Sequence, residues 1–240
     1  MLSSRQRLDI VSNNLANANT VGYKKEGTVK ESFPEMLINR LEGDKKEEIG
    51  TLGTGVRLEK SYTDFSEGNI KHTGNTLDLA IKGEGFFVIQ TPDGRRYSKN
   101  GNFRLNQMGQ IVTQQGYPVL NEAGEPLQTL EDRQITFDGN GQLYLGDLEA
   151  GNIQVVDFAD RENLVKEGEN LYRTVGEDVE EIEPENYEVA QGYLENSNVN
   201  IVKEMTKMIE ANRLYEMNQK AIKAADSTLG KAVNQVGKKK

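Results

Sequence analysis

The pattern of apolar positions divides the chain into segments of different kind. Toward the C-terminus Ile201, Met208, Tyr215, Ile222, Leu229 and Val236 are all apolar and each is seven residues from the next. Met205, Ala211, Leu214, Ala221, Ala225, Ala232 and Val233 widen that stripe. A sustained seven-residue apolar repeat predicts a helix that packs lengthwise on other helices. No proline interrupts residues 201–236, a stretch that would run roughly 54 Å as a helix. Asn196, Ser197 and Asn198 offer themselves as its N-cap. At the other end Leu8, Val11, Leu15 and Ala18 follow 3-4-3 spacing, and Asn19, Thr20 and Gly22 then stop the helix. That helix has about four turns against about ten at the C-terminus. If the two pair, more than half of the long stripe has no partner within the chain. An unpaired stripe of that length implies contacts with other subunits, the alternative being that it lies on the chain's own middle domain.

The middle of the chain alternates differently. LDLAI, FFVIQ, NFRL, QIVT, YPVL, QITF, QLYL, IQVVDF and LYRTV are separated by turn chemistry such as Pro92-Asp93-Gly94, Asn100-Gly101 and Asp138-Gly139-Asn140-Gly141. Short strands with regular spacing and no helical pattern between them predict an antiparallel sandwich or partly closed barrel. Its expected core is Phe86, Val88, Ile111, Val112, Val119, Leu120, Ile135, Phe137, Leu143, Leu145, Val155, Val156 and Phe158. The fold class is therefore α+β: a central antiparallel all-β domain with N- and C-terminal helices that pair as a coiled-coil-like stalk. The expected division is a terminal helical domain of residues 1–24 and 197–240, a connecting segment 25–73, a β-rich domain 74–190 and a return linker 191–196.

Composition narrows the chemistry. Lys+Arg number 29 against 38 Asp+Glu, a net charge of −9, which argues against a nucleic-acid partner. There is no cysteine and only one histidine, so disulfides, thiolate metal sites, cysteine nucleophiles and two-histidine zinc sites are excluded. His72 lies in EGNIKHTGNT and is expected in a turn. No apolar run is long enough to span a bilayer, and MLSSRQRLDI lacks the features of a cleaved signal peptide.

Three local patterns resemble ligand sites and have simpler readings. Gly83-Glu84-Gly85 lacks the third glycine of a nucleotide loop, with Val at 88, and reads as a tight turn. Asp138, Asn140, Gln142 and Glu149 fall on calcium-loop positions, but Leu143 stands where that loop needs glycine, so a hairpin turn is expected. The acidic run Glu177, Asp178, Glu180, Glu181, Glu183, Glu185 reads as a solvated loop before Pro184. No catalytic group, cofactor or metal site is expected.

The remaining unusual segment holds four asparagines within seven positions, Asn13, Asn14, Asn17 and Asn19. Asparagine is a poor helix former. Asn13 and Asn17 share one helical face, and such residues either specify register in a packed helix array or mark a fraying end.

SNNLANANTVGYKK resembles the N-terminal signature of the bacterial flagellar rod and hook proteins, and LENSNVNIVKEMTKMIEANRLYEMNQKAIKAADSTL resembles their C-terminal signature. Between them, GNTLDLAIKGEGFFVIQTPDG and YSKNGNFRLNQMGQIVTQQGYPVL are similar to the subgroup of proximal and distal rod proteins, and FPEMLINR to its Bacillus-type members. The resemblance implies a non-enzymatic axial component of the basal body that stacks helically with copies of itself and other rod or hook proteins. It implies export through the flagellar type III apparatus without a cleaved signal, an extracytoplasmic location, an inner tube of terminal helices and an outer β layer. It also implies a further apolar turn ahead of the segment beginning at Met1. The assembly interface is then expected at Leu8, Val11, Asn13, Asn14, Leu15, Asn17, Ala18, Asn19, Gly22, Tyr23, Ile201, Met205, Met208, Tyr215, Ile222, Leu229 and Val236. No small-molecule substrate and no membrane insertion are expected. The alternatives are an extracytoplasmic glycan- or peptidoglycan-binding module and a glycan hydrolase. The first needs an exposed aromatic row, and the second a pair of carboxylates that no spacing singles out.

Overall fold

The computed structural model describes residues 2–32, 36–42, 45–52, 56–129, 134–176 and 179–236. Phe33 to Glu35 of the FPEMLINR motif, Glu177 and Asp178 of the acidic run, and residues 237–240 lie outside them. The chain forms two compact units: residues 1–16, 26–62 and 200–240, and residues 17–25 and 63–199.

The first unit contains helix α1 (Leu2–Ala16), strands β1 (Glu26–Ser32), β2 (Met36–Glu42), β3 (Lys45–Leu52) and β4 (Val56–Thr63), and helix α2 (Ile201–Val236). β1 pairs with β4, and β2 with β3. Residues 26–62, expected as connector, thus carry two strand pairs. Helix α2 runs its full predicted length, but its cap differs from expectation. Asn200, not Asn196, Ser197 or Asn198, accepts the Lys203 N–H on its side-chain oxygen at 3.0 Å, the N-cap arrangement one position before the first helical residue. Of the earlier polar residues, Ser197 accepts the Val199 N–H at 3.3 Å, and Asn198 is engaged elsewhere, as described below.

The second unit opens with β5 (Ile70–His72), β6 (Leu79–Gly83), β7 (Phe86–Thr91), β8 (Gly94–Ser98), β9 (Arg104–Leu105) and β10 (Ile111–Val112). It continues with β11 (Ile135–Phe137), β12 (Gln142–Leu145), β13 (Leu148–Asn152) and β14 (Val155–Phe158). It ends with β15 (Leu164–Gly168), β16 (Leu171–Thr174), β17 (Glu181–Ile182), β18 (Tyr187–Gln191) and β19 (Tyr193–Glu195). The largest sheet has the order β15-β16-β8-β7-β14-β17, with β11-β12-β13 as a second meander. β18 pairs antiparallel with β6 and β19 with β5. The result is mostly β and antiparallel, with a long C-terminal and a short N-terminal helix.

Strand β7 explains why the core has two lobes. Successive side chains on a strand point to opposite faces. Phe87 packs with Leu79, Ile111, Val119, Leu143 and Ile153. Its neighbours Phe86 and Val88 pack with Tyr97, Leu120, Val156, Phe158 and Tyr172. Every expected core residue is buried except Ile135, which lies partly buried at the edge of the first lobe. Phe65 from the loop before β5 closes the second lobe, its ring 5.3 Å from both Phe86 and Tyr172.

The three ligand-like patterns have structural uses. Gly83 and Gly85 both have positive φ, 86° and 102°, in the turn between β6 and β7. The Asp138 carboxylate accepts the N–H groups of Asn140 and Gln142 at 2.9 and 2.8 Å, shaping the β11–β12 hairpin. Glu181 of the acidic run is not a free loop residue: it pairs in β17 and accepts the Tyr97 hydroxyl at 2.5 Å. Burial and that acidic neighbour push the Tyr97 phenol well above its ordinary range. His72 is the last residue of a strand rather than a turn residue, with its ring 4.8 Å from that of Tyr193 across the β5–β19 pair.

Candidate functional site

The helical site lies within the first unit, where α1 packs against α2. The face of α2 buried there is Glu204 and Ala211, each 1% exposed, with Met208 and Tyr215 half-buried. The 4-3-4 spacing of these four keeps one face of a helix toward a neighbour. On α1 the buried residues are Ser4, Val11 and Asn14, with Leu8 and Leu15 half-buried. The expected α1 stripe is thus displaced by a fraction of a turn. Arg7 and Glu210 meet across the pair at 3.9 Å.

Besides Ser4, two larger polar residues sit inside this packing. Glu204 was not singled out by its pattern, yet its side chain is buried and bonds Lys207 one turn on at 2.6 Å. A carboxylate in the first turn of α2 also suits the positive end of the helix dipole. Among the asparagines the buried one is Asn14, not the Asn13–Asn17 face: Asn13 is exposed and Asn17 half-buried. The Asn14 amide donates to the Glu26 carbonyl at 2.8 Å and accepts the Glu26 N–H at 2.9 Å. It therefore serves β1 as a strand neighbour would, fixing where that strand leaves the helix.

Most of the long stripe is uncovered. Ile201, Met205, Leu214, Ile222, Leu229 and Val233 are exposed, from 37% to 71%. From Lys220 to Asn234 every residue of α2 is exposed, and Val236 ends the helix. A 15-residue α1 reaches only about 22 Å, well short of the 36-residue α2. No described helix is long and apolar enough to cross a membrane.

The second site lies wholly within the β unit, where the two terminal signatures meet. Gly22 has φ of 68°, and a Cβ there would stand 2.5 Å from the Asn100 backbone nitrogen. Only glycine accepts both that conformation and that approach. Its N–H donates to the Glu195 carbonyl at 2.8 Å. Tyr23 packs with Ala18 and Val199, and the Lys166 ammonium lies 3.9 Å from its ring centroid. Lys166 also donates to the Lys24 carbonyl at 2.5 Å, and Asn170 to the Val21 carbonyl at 2.9 Å. Asn19 is exposed.

Lys24 and Glu195 are the centre of this site. Both side chains are 1% exposed, and the ammonium donates to the carboxylate at 2.6 Å. The same ammonium donates to the carbonyls of Ser66 at 2.9 Å and Phe65 at 3.4 Å. The carboxylate also accepts the Gly68 N–H at 2.7 Å. Asn198 accepts the Lys25 N–H at 2.8 Å and donates to the Asp64 and Ser66 carbonyls, which explains why it does not cap α2. Lys25 pairs with Asp64 at 3.0 Å. Burial would raise the Asp64 carboxyl, but hydrogen bonds from Ser66 and the Lys25 ammonium outweigh it and hold the group at about 2. Nearby, burial pushes the Lys99 ammonium down to about 8, with Glu195 attracting it and Lys24 and Arg161 repelling it. Lys99 donates to the Gly83 carbonyl at 2.8 Å.

Among the described residues these polar groups are occupied in tying chain segments together, and no group of three or more metal-ligating side chains stands close together. The site binds the protein to itself. The comparisons with known proteins give the family. Residues 3–24 match the model of the flagella basal body rod protein, and residues 80–155 that of the flagellar hook protein FlgE/F/G D1 domain. Residues 190–235 match the flagellar basal body rod FlgEFG protein C-terminal model. The chain is 36% identical to the flagellar hook-basal body complex protein FlhO of Bacillus subtilis, over 99% of this chain and 96% of that one. It is 35% identical to the flagellar basal-body rod protein FlgG of the same organism, over 98% and 95%. It is likewise 35% identical to FlgF of Caulobacter vibrioides, over 99% and 94%. The chain belongs to the flagellar basal-body rod protein family, and its function is that of a structural rod component of the basal body.

Proposed function

We propose that the chain polymerises helically, with copies of itself and other rod or hook proteins, into the rod that carries torque from motor to hook. In this reading α1 and α2 form a coiled-coil-like stalk that lines the inner tube, and the β-rich residues face outward. Head-to-tail contacts that do not close a ring generate such a filament. The chain is exported through the flagellar type III apparatus without a cleaved signal, works outside the cytoplasm and has no catalytic role.

The observation that carries this reading is the exposed apolar face of α2 beyond the reach of α1, from Ile222 through Val233. Exposed apolar surface of that extent marks an interaction site. Most aromatic residues of the β unit are buried, which does not favour glycan binding, and Tyr193 is the one described there as exposed. Phe86, Phe87, Phe103, Phe158, Tyr97 and Tyr172 are all buried, and so unavailable as a platform. The test is Ile222→Asp in a strain lacking the native copy, read by motility and by recovery of rods. Ile222 is 47% exposed, so the monomer should lose less than about 0.5 kcal/mol. In an assembled interface the unpaired carboxylate would cost several kcal/mol, roughly 3–5. Normal motility and rod yield would refute the interface.

A further inference from the structure

We propose that residues 17–25 form a strap whose docking closes the β unit, so that the unit is complete only once the chain through Val199 has folded back onto that strap. This inference rests on contacts inside the β unit and does not depend on the proposed assembly.

The strap is covalently placed between α1 and β1, yet it belongs to the compact unit of residues 63–199. Four parts of that unit hold it. Glu195 and Asn198 grip Gly22, Lys24 and Lys25 from the C-terminal return. The loop before β5 receives the Lys24 ammonium on the carbonyls of Phe65 and Ser66. The backbone at Lys99 and Asn100 closes over Gly22. The β15–β16 hairpin clamps the other side through Lys166 and Asn170.

That hairpin is shaped for the task. Glu169 and Asn170 are the only described non-glycine residues with positive φ, at 51° and 60°. Such backbone is uncommon outside glycine and persists where surrounding structure holds it. Here it aims the Asn170 amide at the strap.

The same contacts bury a carboxylate whose ion-pair partner comes from the strap. Without Lys24, the Glu195 carboxylate, 1% exposed, keeps the Gly68 N–H as its remaining donor among those described. Lys24 and Glu195 are 171 residues apart in sequence. Contacts of that separation form only after a large loop has closed. The Phe65 lobe, β5 and β19 therefore depend on a segment made first and a segment made late.

Hydrogen exchange measured by mass spectrometry on the full chain tests this, comparing wild type with Asn170→Gly and Gly22→Ala. Glycine adopts the φ of Asn170 freely, so Asn170→Gly leaves the hairpin intact and removes only the clamp on Val21. It should raise exchange of the strap amides by about five- to tenfold, the worth of one hydrogen bond. The amides of β5, β19 and the loop before β5 should accelerate by the same factor. Gly22→Ala should act in the same direction and more strongly. If it does not fold, Asn170→Gly carries the test alone. A strap that exchanges faster while β5 and β19 keep their wild-type protection would overturn the proposal. So would unchanged exchange throughout in Asn170→Gly.

Discussion

Replacing Lys24 with Met would separate the buried ion pair from the apolar stem that carries it. Met fills most of the same volume but offers no donor. Glu195 would then hold a buried carboxylate against the Gly68 N–H at 2.7 Å, and the Phe65 carbonyl would lose a donor at 3.4 Å. The Ser66 carbonyl would keep the Asn198 amide at 3.1 Å. Removing one partner of a buried pair costs about 3–5 kcal/mol, because the other charge stays in the interior. At ~2–4 °C per kcal/mol for a unit of this size, melting should fall by roughly 6–20 °C. Glu195→Leu should cost a similar amount by stranding Lys24. In the double variant neither member of the pair is left as a stranded charge. What remains is the orphaned Gly68 N–H and the lost carbonyl bonds, about 1–3 kcal/mol. The three variants should thus be strongly non-additive, with the double variant more stable than either single one. The chain has no tryptophan, so near-UV circular dichroism of buried tyrosines such as Tyr172 and Tyr97 follows the β unit during urea unfolding. A Lys24→Met variant within about 0.5 kcal/mol of wild type, the range of an ordinary surface change, would refute the reasoning. So would a double variant whose loss equals the sum of the singles.

Two pH effects follow from the same region. Lys99 holds its proton to only about 8 in the folded chain, against 10.5 ordinarily, so the unfolded chain binds more protons between those values. Stability should rise as pH increases from about 8 toward 10, by at most ~1.4 kcal/mol per unit. Urea titrations should show that rise in wild type and lose it in Lys99→Met. Asp64 is held at about 2 against 3.8, so its contribution is complete above 3.8 and lost as pH falls through 2. Asp64→Asn should be less stable than wild type at neutral pH, and the gap should close by pH 2 in acid titrations followed by circular dichroism.

The elements legible in the sequence were those with a local period. The apolar repeat from Ile201 located α2, and alternation between turn residues located strands such as Gln142–Leu145. Both depend only on which neighbours along the chain share a face. The register of α1 on α2 was less legible, since Ser4, Asn14 and Glu204 are polar residues in buried positions. The strap was missed as a site because its logic is non-local. Nothing local marks Lys24 or Glu195 as buried, and no periodicity joins residues so far apart. Gly22 and the asparagines gave a signal of unusual local chemistry without saying what they touch. The one clue available was that several strict geometric needs, a run of amides and then a glycine, fell across a helix end. Asn198 shows the same limit: a good N-cap by type, it is spent on Lys25 and Asp64, and Asn200 caps instead.

The central claim is that this chain is built into the rod through the uncovered face of α2. The chain contains no cysteine, so a cysteine introduced at Ile222 or at Leu229 is unique. Basal bodies purified from cells carrying either variant, treated with a soluble maleimide, would report whether that face is covered. The account predicts that the chain is present in the rod fraction. It predicts thiols protected from the maleimide in the assembly but not in the monomer. Absence of the chain from the basal-body fraction would contradict the account, as would thiols in the assembly that label as fast as in the monomer.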